Sequence, residues 1–314
     1  MVANLVPALS LKQVSKTYKN GFQAVKSIDL TVEQGDFFAL LGPNGAGKST
    51  TIGMISNLVN KTSGTIEVMG VDLDQHRSQA KALLGIVPQE INLNGFERPW
   101  QILIQQAGYY GVPRKVAAER AEYYLKALSL WEKAQQPAMR LSGGMKRRLM
   151  IARALVHQPK VLLLDEPTAG VDVEIRYDMW KFLTQVRQET GLTIILTTHY
   201  LEEAENLCNK IAIINRGEIV INTSMAQLMT QLEVESVLLY LNAPAQVAPV
   251  IAGMTVRQVD ATTLEVDLKR GQMISDVFAA LQTQGIVVQN MRNKTNRLEQ
   301  LFVHLVQQHK EGSV

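Results

Sequence analysis

The stretch Gly42-Pro43-Asn44-Gly45-Ala46-Gly47-Lys48-Ser49-Thr50-Thr51 constrains this chain more than any other. It fits G-x-x-x-x-G-K-[ST] at every fixed position. Phe37-Phe38-Ala39-Leu40-Leu41, in front of it, is a short unbroken apolar run with the pattern of a buried strand. Behind it Ile52, Ile55, Leu58 and Val59 recur at helical spacing. Strand, glycine-rich loop and helix is the context in which this motif holds phosphate. Glycine permits the tight bend that turns successive N–H groups inward around an anion. The following helix adds its positive end and its unpaired N–H groups. Lys48 is then a point charge for terminal phosphates, and the hydroxyl of Ser49 is placed for Mg²⁺. A glycine-rich turn that binds nothing requires neither flanking element.

With 314 residues the chain has room for a nucleotide-binding domain and an appendage, and 46 % apolar residues supply a large core. The 32 basic and 29 acidic residues nearly balance, so no nucleic-acid partner is expected. The single cysteine, Cys208, excludes an intramolecular disulfide and reads as a buried thiol. That is compatible with a reducing compartment. No window approaches the roughly 18 consecutive apolar residues of a spanning helix. Residues 1–7 lack the basic and long apolar regions of a secretory signal, so a soluble single chain is expected.

Along the chain, Ile28, Leu30 and Val32 alternate with Asp29 and Thr31, and Asn20-Gly21 marks a hairpin between two strands. Tyr18, just before that turn, reads as a core aromatic, an edge aromatic, or a ring that stacks on a flat base. Ile66 and Val68 flank Glu67 in another strand. The strand 85–87 stops at Pro88, and Gln89 at its end could reach a metal or water through its amide oxygen. Residues 91–158 read as a helical insertion, with helices near 102–110 and 116–130 punctuated by Pro99, Pro113 and Pro137. Leu141-Ser142-Gly143-Gly144 opens a basic helix over 145–156. Ser142 suits its N-cap, and the glycines expose N–H groups. This is a second anion site or a plain cap and turn. Lys146, Arg147 and Arg148 read as a solvated face.

Val161-Leu162-Leu163-Leu164 is an apolar strand that ends in Asp165 and Glu166. Beside a phosphate loop, an aspartate at such a strand end holds Mg²⁺. The next carboxylate can take a proton from an attacking water. The strand 192–198 ends at His199, which reads either as a structural histidine or, with three other groups already at the carboxyl ends of parallel strands, as one that reaches the same phosphate. Glu202, Glu203 and Glu205 read as solvated, and residues 211–220 as a hairpin turning at Arg216-Gly217. After residue 232 the pattern restarts. Strands are expected at 237–241, 264–268 and 286–288, and helices at 273–281 and 298–306. Residues 311–314 read as frayed. This appendage carries no ligand signature and reads as a structural or dimer-contacting cap.

In sequence and in order, these motifs resemble those of the ATP-binding subunits of ABC transporters across about residues 9–230. Gly42 to Ser49 matches the Walker A motif, 161–165 Walker B, and 141–144 the ABC signature. Gln89 matches the Q-loop glutamine, Glu166 the catalytic glutamate, His199 the switch histidine, Tyr18 the adenine-stacking aromatic and Asp172 a dimer-contacting aspartate. The resemblance implies an α/β P-loop NTPase core over 9–232, with an antiparallel β subdomain and a helical subdomain near 91–158. A small C-terminal α+β accessory domain follows over 233–314. It implies ATP held by Tyr18, Gly42, Pro43, Asn44, Gly45, Ala46, Gly47, Lys48, Ser49, Thr50 and Gln89. Ser142, Gly143, Gly144 and Asp172 would come from a second copy bound head to tail. Mg²⁺ would rest on Ser49, Gln89 and Asp165, and Lys48, Glu166 and His199 would be catalytic.

Two departures point to a branch. Met145 stands where glutamine is frequent, and Ala169-Gly170-Val171-Asp172 where Ser-Ala-Leu-Asp is common. Both resemble the type-2 exporter branch, as does 297–302, which looks like the closing helix of such subunits. The resemblance thus implies an ATPase that powers a separate integral-membrane permease from the cytoplasmic face of the inner membrane. The segment 97–110 is expected to carry the membrane contact, with Trp100, Tyr109 and Tyr110 reading equally as core residues. An importer ATPase, or an ABC protein acting on ribosomes or DNA, stays open at this point. A single phosphate loop and the lack of a sustained heptad run weigh against the last.

Overall fold

The apolar runs at 37–41, 161–165 and 193–198 become three adjacent strands of one sheet, because residues apolar on both faces bury best at a sheet's centre. The computed structural model describes residues 6–230, 234–245, 247–269, 271–294, 298–299 and 301–302. It divides into two compact units, 1–224 and 225–314.

The first unit opens with β1 (Leu9–Thr17), β2 (Gln23–Val32), β3 (Phe37–Leu41), α1 (Lys48–Ile55), β4 (Ser63–Val68), β5 (Val71–Asp72), α2 (Arg77–Ala82) and β6 (Leu84–Val87). Three helices follow: α3 (Pro99–Tyr109), α4 (Arg114–Ala127) and α5 (Gly143–Leu155). Then come β7 (Val161–Asp165), α6 (Val173–Thr190), β8 (Thr193–Thr198), α7 (Leu201–Leu207), β9 (Lys210–Asn215) and β10 (Glu218–Ser224). The main sheet has the order β10-β9-β3-β8-β7-β6. Every pairing in it is parallel except the β9–β10 hairpin. The carboxyl ends of β3, β8, β7 and β6 therefore lie along one edge, where open α/β sheets bind ligands.

An antiparallel sheet β2-β1-β4-β5 shares a core with β3, α1 and β7 through Leu9, Val25, Phe38, Ile55 and Leu163. Its β1–β2 hairpin turns as Asn20-Gly21 predicts: Tyr18 N–H donates to Phe22 O at 2.9 Å, and Gly21 sits at φ 81°. α1 is shorter than the spacing of Ile52 to Val59 suggests. Asn57 enters the left-handed region at φ 57°, and the N–H groups of Leu58 and Val59 both fold back onto Gly53 O. This closes the helix early and leaves Leu58 75 % exposed.

The insertion forms helices where the punctuation predicts, with Pro99 in the first turn of α3 and Pro113 capping α4. Two charged residues depart from the expected solvated faces. Arg147, on α5, is buried, and its guanidinium donates to Pro88 O at 2.9 Å and Gln89 O at 2.7 Å. Burial lowers its pKa. Its neighbours Lys146 and Arg148 are half-buried, the latter donating to Leu128 O. Glu203, on α7, is 1 % exposed and fully engaged by hydrogen bonds. Charge alone marks such residues as surface. Their partners, main-chain oxygens in one case and hydroxyls plus an indole in the other, carry no charge pattern to read. Cys208 is buried as expected, which pushes its thiol pKa well up.

The second unit comprises α8 (Met225–Met229), β11 (Val234–Leu241), β12 (Thr255–Asp260), β13 (Thr263–Lys269), α9 (Ile274–Thr283) and β14 (Val288–Asn293). Its sheet runs β12-β13-β11-β14, and Val237, Leu239, Leu264, Val266, Val277 and Leu281 share its core. β12 escapes sequence reading because its two valines, Val256 and Val259, do not alternate with period two and its residues are exposed or half-buried. The strand expected at 286–288 instead starts at Val288, and Ile286 packs on the core ahead of it. Of the helix expected over 298–306, residues 298, 299, 301 and 302 are helical. Residue 300 and residues 303–306 lie outside the described residues, as do 297 and 311–314.

Gly85 permits the contact that positions this insertion. A Cβ there would lie 2.4 Å from Ala154 O, so β6 and α5 approach only because the side chain is missing. Gly85→Ala should lower unfolding free energy by about 1–3 kcal/mol through this backbone clash. Urea denaturation of the full chain measures it, and unchanged stability would show that α5 shifts freely.

Candidate active site

The phosphate loop follows β3, Gln89 follows β6, Asp165 and Glu166 close β7, and His199 follows β8. Asn44, Gly45, Gly47, Lys48, Ser49, Thr50, Gln89, Glu166 and His199 line one cleft of about 410 Å³. The loop around it is built on absent side chains. A Cβ on Gly42 would lie 2.2 Å from Ile214 O, and one on Gly47, at φ 110°, 2.7 Å from Ala24 O. Gly45, at φ 77°, faces open space. Pro43 and Ala46 complete the loop, with Ala46 N–H donating to Pro43 O at 3.1 Å.

Lys48 is buried and donates to Gly42 O at 2.7 Å and Pro43 O at 3.1 Å. Burial lowers its pKa, while the nearby charges of Glu166 and Asp165 act in the opposite direction. Ser49 Oγ lies 3.5 Å from Asp165 Oδ1, which also accepts a short hydrogen bond from the Thr197 hydroxyl. Asp165 thus stands behind Ser49 at the cleft floor. A hydroxyl, a carboxylate and the Gln89 amide form an all-oxygen set that suits Mg²⁺. Such an ion takes few protein ligands and keeps several waters. Among the described residues no cluster of three or more His, Cys, Asp or Glu side chains forms a closed cage.

Glu166 has the left-handed φ of 47°. Its N–H points to Thr197 O at 3.0 Å and Thr197 Oγ1 at 3.2 Å, which holds that conformation. The carboxylate is thereby turned into the cleft. Its Oε2 accepts from Gln89 Nε2 at 3.1 Å and lies 3.2 Å from His199 Nδ1. Three residues singled out for separate strand ends converge on one oxygen.

Tyr18 is no core residue: it is 39 % exposed, its hydroxyl is 3.4 Å from Thr50 Oγ1, and Lys16 Nζ sits 4.9 Å above its ring. Phe22 and Ala24 also line the cleft, and sequence reading missed them. The available signal was an aromatic directly after the Asn20-Gly21 turn; the structure leaves Phe22 57 % exposed. Ser142, Gly143 and Gly144 do not line this cleft. Ser142 caps α5, accepting from Met145 N–H at 3.2 Å, and both Ser142 and Gly143 are exposed. Asp172 is exposed at the N-terminus of α6.

Such strand ends around a glycine-rich loop define a nucleotide-hydrolysing α/β domain. The family profile described as ABC transporter matches residues 25–169. The linearmycin resistance ATP-binding protein LnrL of Bacillus subtilis is 35 % identical over 305 residues, covering 95 % of this chain and 97 % of that protein. A Nod factor export ATP-binding protein I of Cupriavidus metallidurans is 40 % identical, covering 67 % of this chain and 68 % of that protein. The chain therefore belongs to the ABC transporter family as an ATP-binding, ATP-hydrolysing protein.

Solved structures agree with the fold. CbiO1 of Clostridium perfringens, described as part of the transporter complex cbiONQ, has TM-score 0.65 and 28 % identity, covering 72 % of this chain and 91 % of that one. The ATP-binding cassette MJ0796, solved as a post-hydrolysis dimer with ADP and Pi, has TM-score 0.64 and 27 % identity, covering 69 % of this chain and 98 % of that one.

Lys48→Ala should abolish ATP hydrolysis and weaken nucleotide binding, because Lys48 is the only lysine in the loop. Phosphate release and nucleotide titration of the purified variant measure both. Wild-type turnover in a folded Lys48→Ala chain would remove the loop from the chemistry.

Proposed function

We propose that this chain is the ATPase subunit of an ABC exporter, working as a head-to-tail homodimer beneath a separate membrane permease. The observation that carries the dimer is the separation of two anion-binding features. The signature residues open α5 outside the cleft that contains the phosphate loop, with Ser142 and Gly143 exposed and Gly144 half-buried. In a head-to-tail pair the signature of one copy closes over the nucleotide in the other, with Asp172 beside that interface.

Within one cleft, the loop N–H groups and Lys48 hold the phosphates, and Tyr18 stacks on the base. Ser49, Asp165 and Gln89 would hold Mg²⁺, which supplies charge neutralisation on the phosphates when bound. Glu166 takes the proton of the attacking water, while His199 and Gln89 fix its carboxylate. Catalysis is then positioning and electrostatics.

Export as the direction follows what the two relatives are named for, resistance to linearmycin and Nod factor export. No described helix is long and apolar enough to cross a membrane, so the substrate path is assigned to the permease. The chain itself would lie at the cytoplasmic face of the membrane. Its docking surface is assigned to the helical insertion. Phe96 is 82 % exposed, Tyr109 84 % and Met139 56 %, and Met139 N–H ties its segment to Gly95 O at 2.8 Å. Trp100 packs edge-on against Trp131, and Tyr110, though exposed, stacks on His157, so both rings already have partners within the chain.

Glu166→Gln should reduce hydrolysis by about 10²–10⁴-fold while leaving nucleotide binding intact. Removing that negative charge also favours the closed pair. The variant should therefore elute as a dimer with ATP and Mg²⁺ and as a smaller species with ADP. Wild-type turnover would refute the base assignment.

Ser142→Arg should block hydrolysis yet leave nucleotide binding to a single chain nearly intact. The added side chain would crowd a phosphate held by the other copy. A closed-dimer structure in which one chain supplies every ATP contact would refute the shared site.

A further inference from the structure

Glu203 sits four residues beyond His199, on α7, and does not line the nucleotide cleft. Its side chain is 1 % exposed, and hydrogen-bond donors on three segments converge on it. Trp180, from α6, donates its indole N–H to Oε1 at 3.2 Å. Thr168 donates its hydroxyl to the same oxygen in a short hydrogen bond. Thr198 donates its hydroxyl to Oε2 at 2.5 Å. A carboxylate is costly to bury unless such donors satisfy it, and a network of this kind fixes its members rigidly.

The donors matter because of where they stand. Thr168 is two residues past Glu166, in the turn that Ala169 N–H closes onto Glu166 O at 3.3 Å and Val171 N–H onto Thr168 O at 3.1 Å. Thr198 immediately precedes His199, and its hydroxyl oxygen accepts from Tyr200 N–H at 2.9 Å. The backbone around His199 is thus held on both sides by one threonine. Glu203 N–H in turn donates to Tyr200 O at 3.1 Å. The His199 ring lies 4.1 Å from that of Tyr200, whose face carries the Arg176 guanidinium at 4.7 Å.

We infer that Glu203 is a positioning residue for hydrolysis, its carboxylate holding the turn after Glu166 and the turn around His199 at the separation that lets those two side chains meet. The 3.2 Å approach of His199 Nδ1 to Glu166 Oε2 is what this clamp maintains. The inference rests on the assignment of Glu166 and His199 to the reaction. Glutamine cannot replace the carboxylate. Trp180 requires an acceptor on one side, which leaves an NH₂ facing Thr198, whose proton then has no acceptor.

The test uses the full chain. Glu203→Gln should bind ATP within about threefold of wild type and lose kcat by on the order of 10²-fold through misplacement, with KM little changed. In ¹H–¹³C spectra recorded without nucleotide, the His199 ring resonance should move while those of His76 and His157 stay. In a His199→Ala background, Glu203→Gln should cause no further loss. Thr168→Val removes one donor while leaving the carboxylate in place, and should reproduce the kcat loss in a smaller degree. It carries the measurement if Glu203→Gln does not fold. Unchanged kcat with an unmoved His199 resonance would overturn the inference, as would the same fold-loss on top of His199→Ala. Wild-type turnover in His199→Ala would instead overturn the catalytic assignment of the site. The His199 resonance would still decide whether Glu203 positions that ring.

Discussion

The parallel register between β7 and β8 is the constraint on which the site depends. It sets Asp165 opposite Thr197, and the next register step leaves Glu166 and Thr198 at the two strand ends. From there the Thr197 hydroxyl bonds the Asp165 carboxylate, and Thr197 also receives the Glu166 N–H. β3 pairs with β8 on the other side, setting Leu41, the last residue before the loop, opposite Thr198. A one-residue slip would reverse the faces of every side chain on a strand. In strands buried on both faces the apolar pattern does not forbid such a slip. The polar residues at the strand ends, with their specific partners, supply the discrimination that hydrophobicity cannot.

This also explains what was legible beforehand. The loop 42–51, the strand ends at 89, 165, 166 and 199, and the Ser142 cap were readable because each is a short motif whose backbone context is local. Nearly every strand of the first unit was marked by an apolar run or a turn signal. Arg147 and Glu203 were misread because their partners are distant in sequence and carry no opposite charge. Phe22 and Ala24 were missed because they reach the cleft by way of the β1–β2 hairpin, whose placement over the loop is tertiary. β12 was invisible for another reason. An edge strand with little buried side chain has no hydrophobic period to detect.

The left-handed backbone of Glu166 joins the stability of the fold to its chemistry. A non-glycine residue in that region costs of order 1–3 kcal/mol, and it persists where the surroundings over-determine it. Here Thr197 supplies two acceptors for the Glu166 N–H, and the turn through Ala169 and Val171 closes behind it. The strained residue is the one whose carboxylate must point out of the sheet rather than along it.

Arg147 reads only main-chain oxygens, those of Pro88 and Gln89. Its contact is therefore indifferent to which side chains occupy those two positions, whereas the guanidinium itself is not replaceable by a single-donor group. Side chains at 88 and 89 can therefore change without any compensating change at 147. The joint between α5 and the end of β6 is mechanically tight yet leaves almost no covariation to betray it. Contacts of this kind, side chain to backbone across an insertion, join two motifs while staying silent in pairwise sequence statistics.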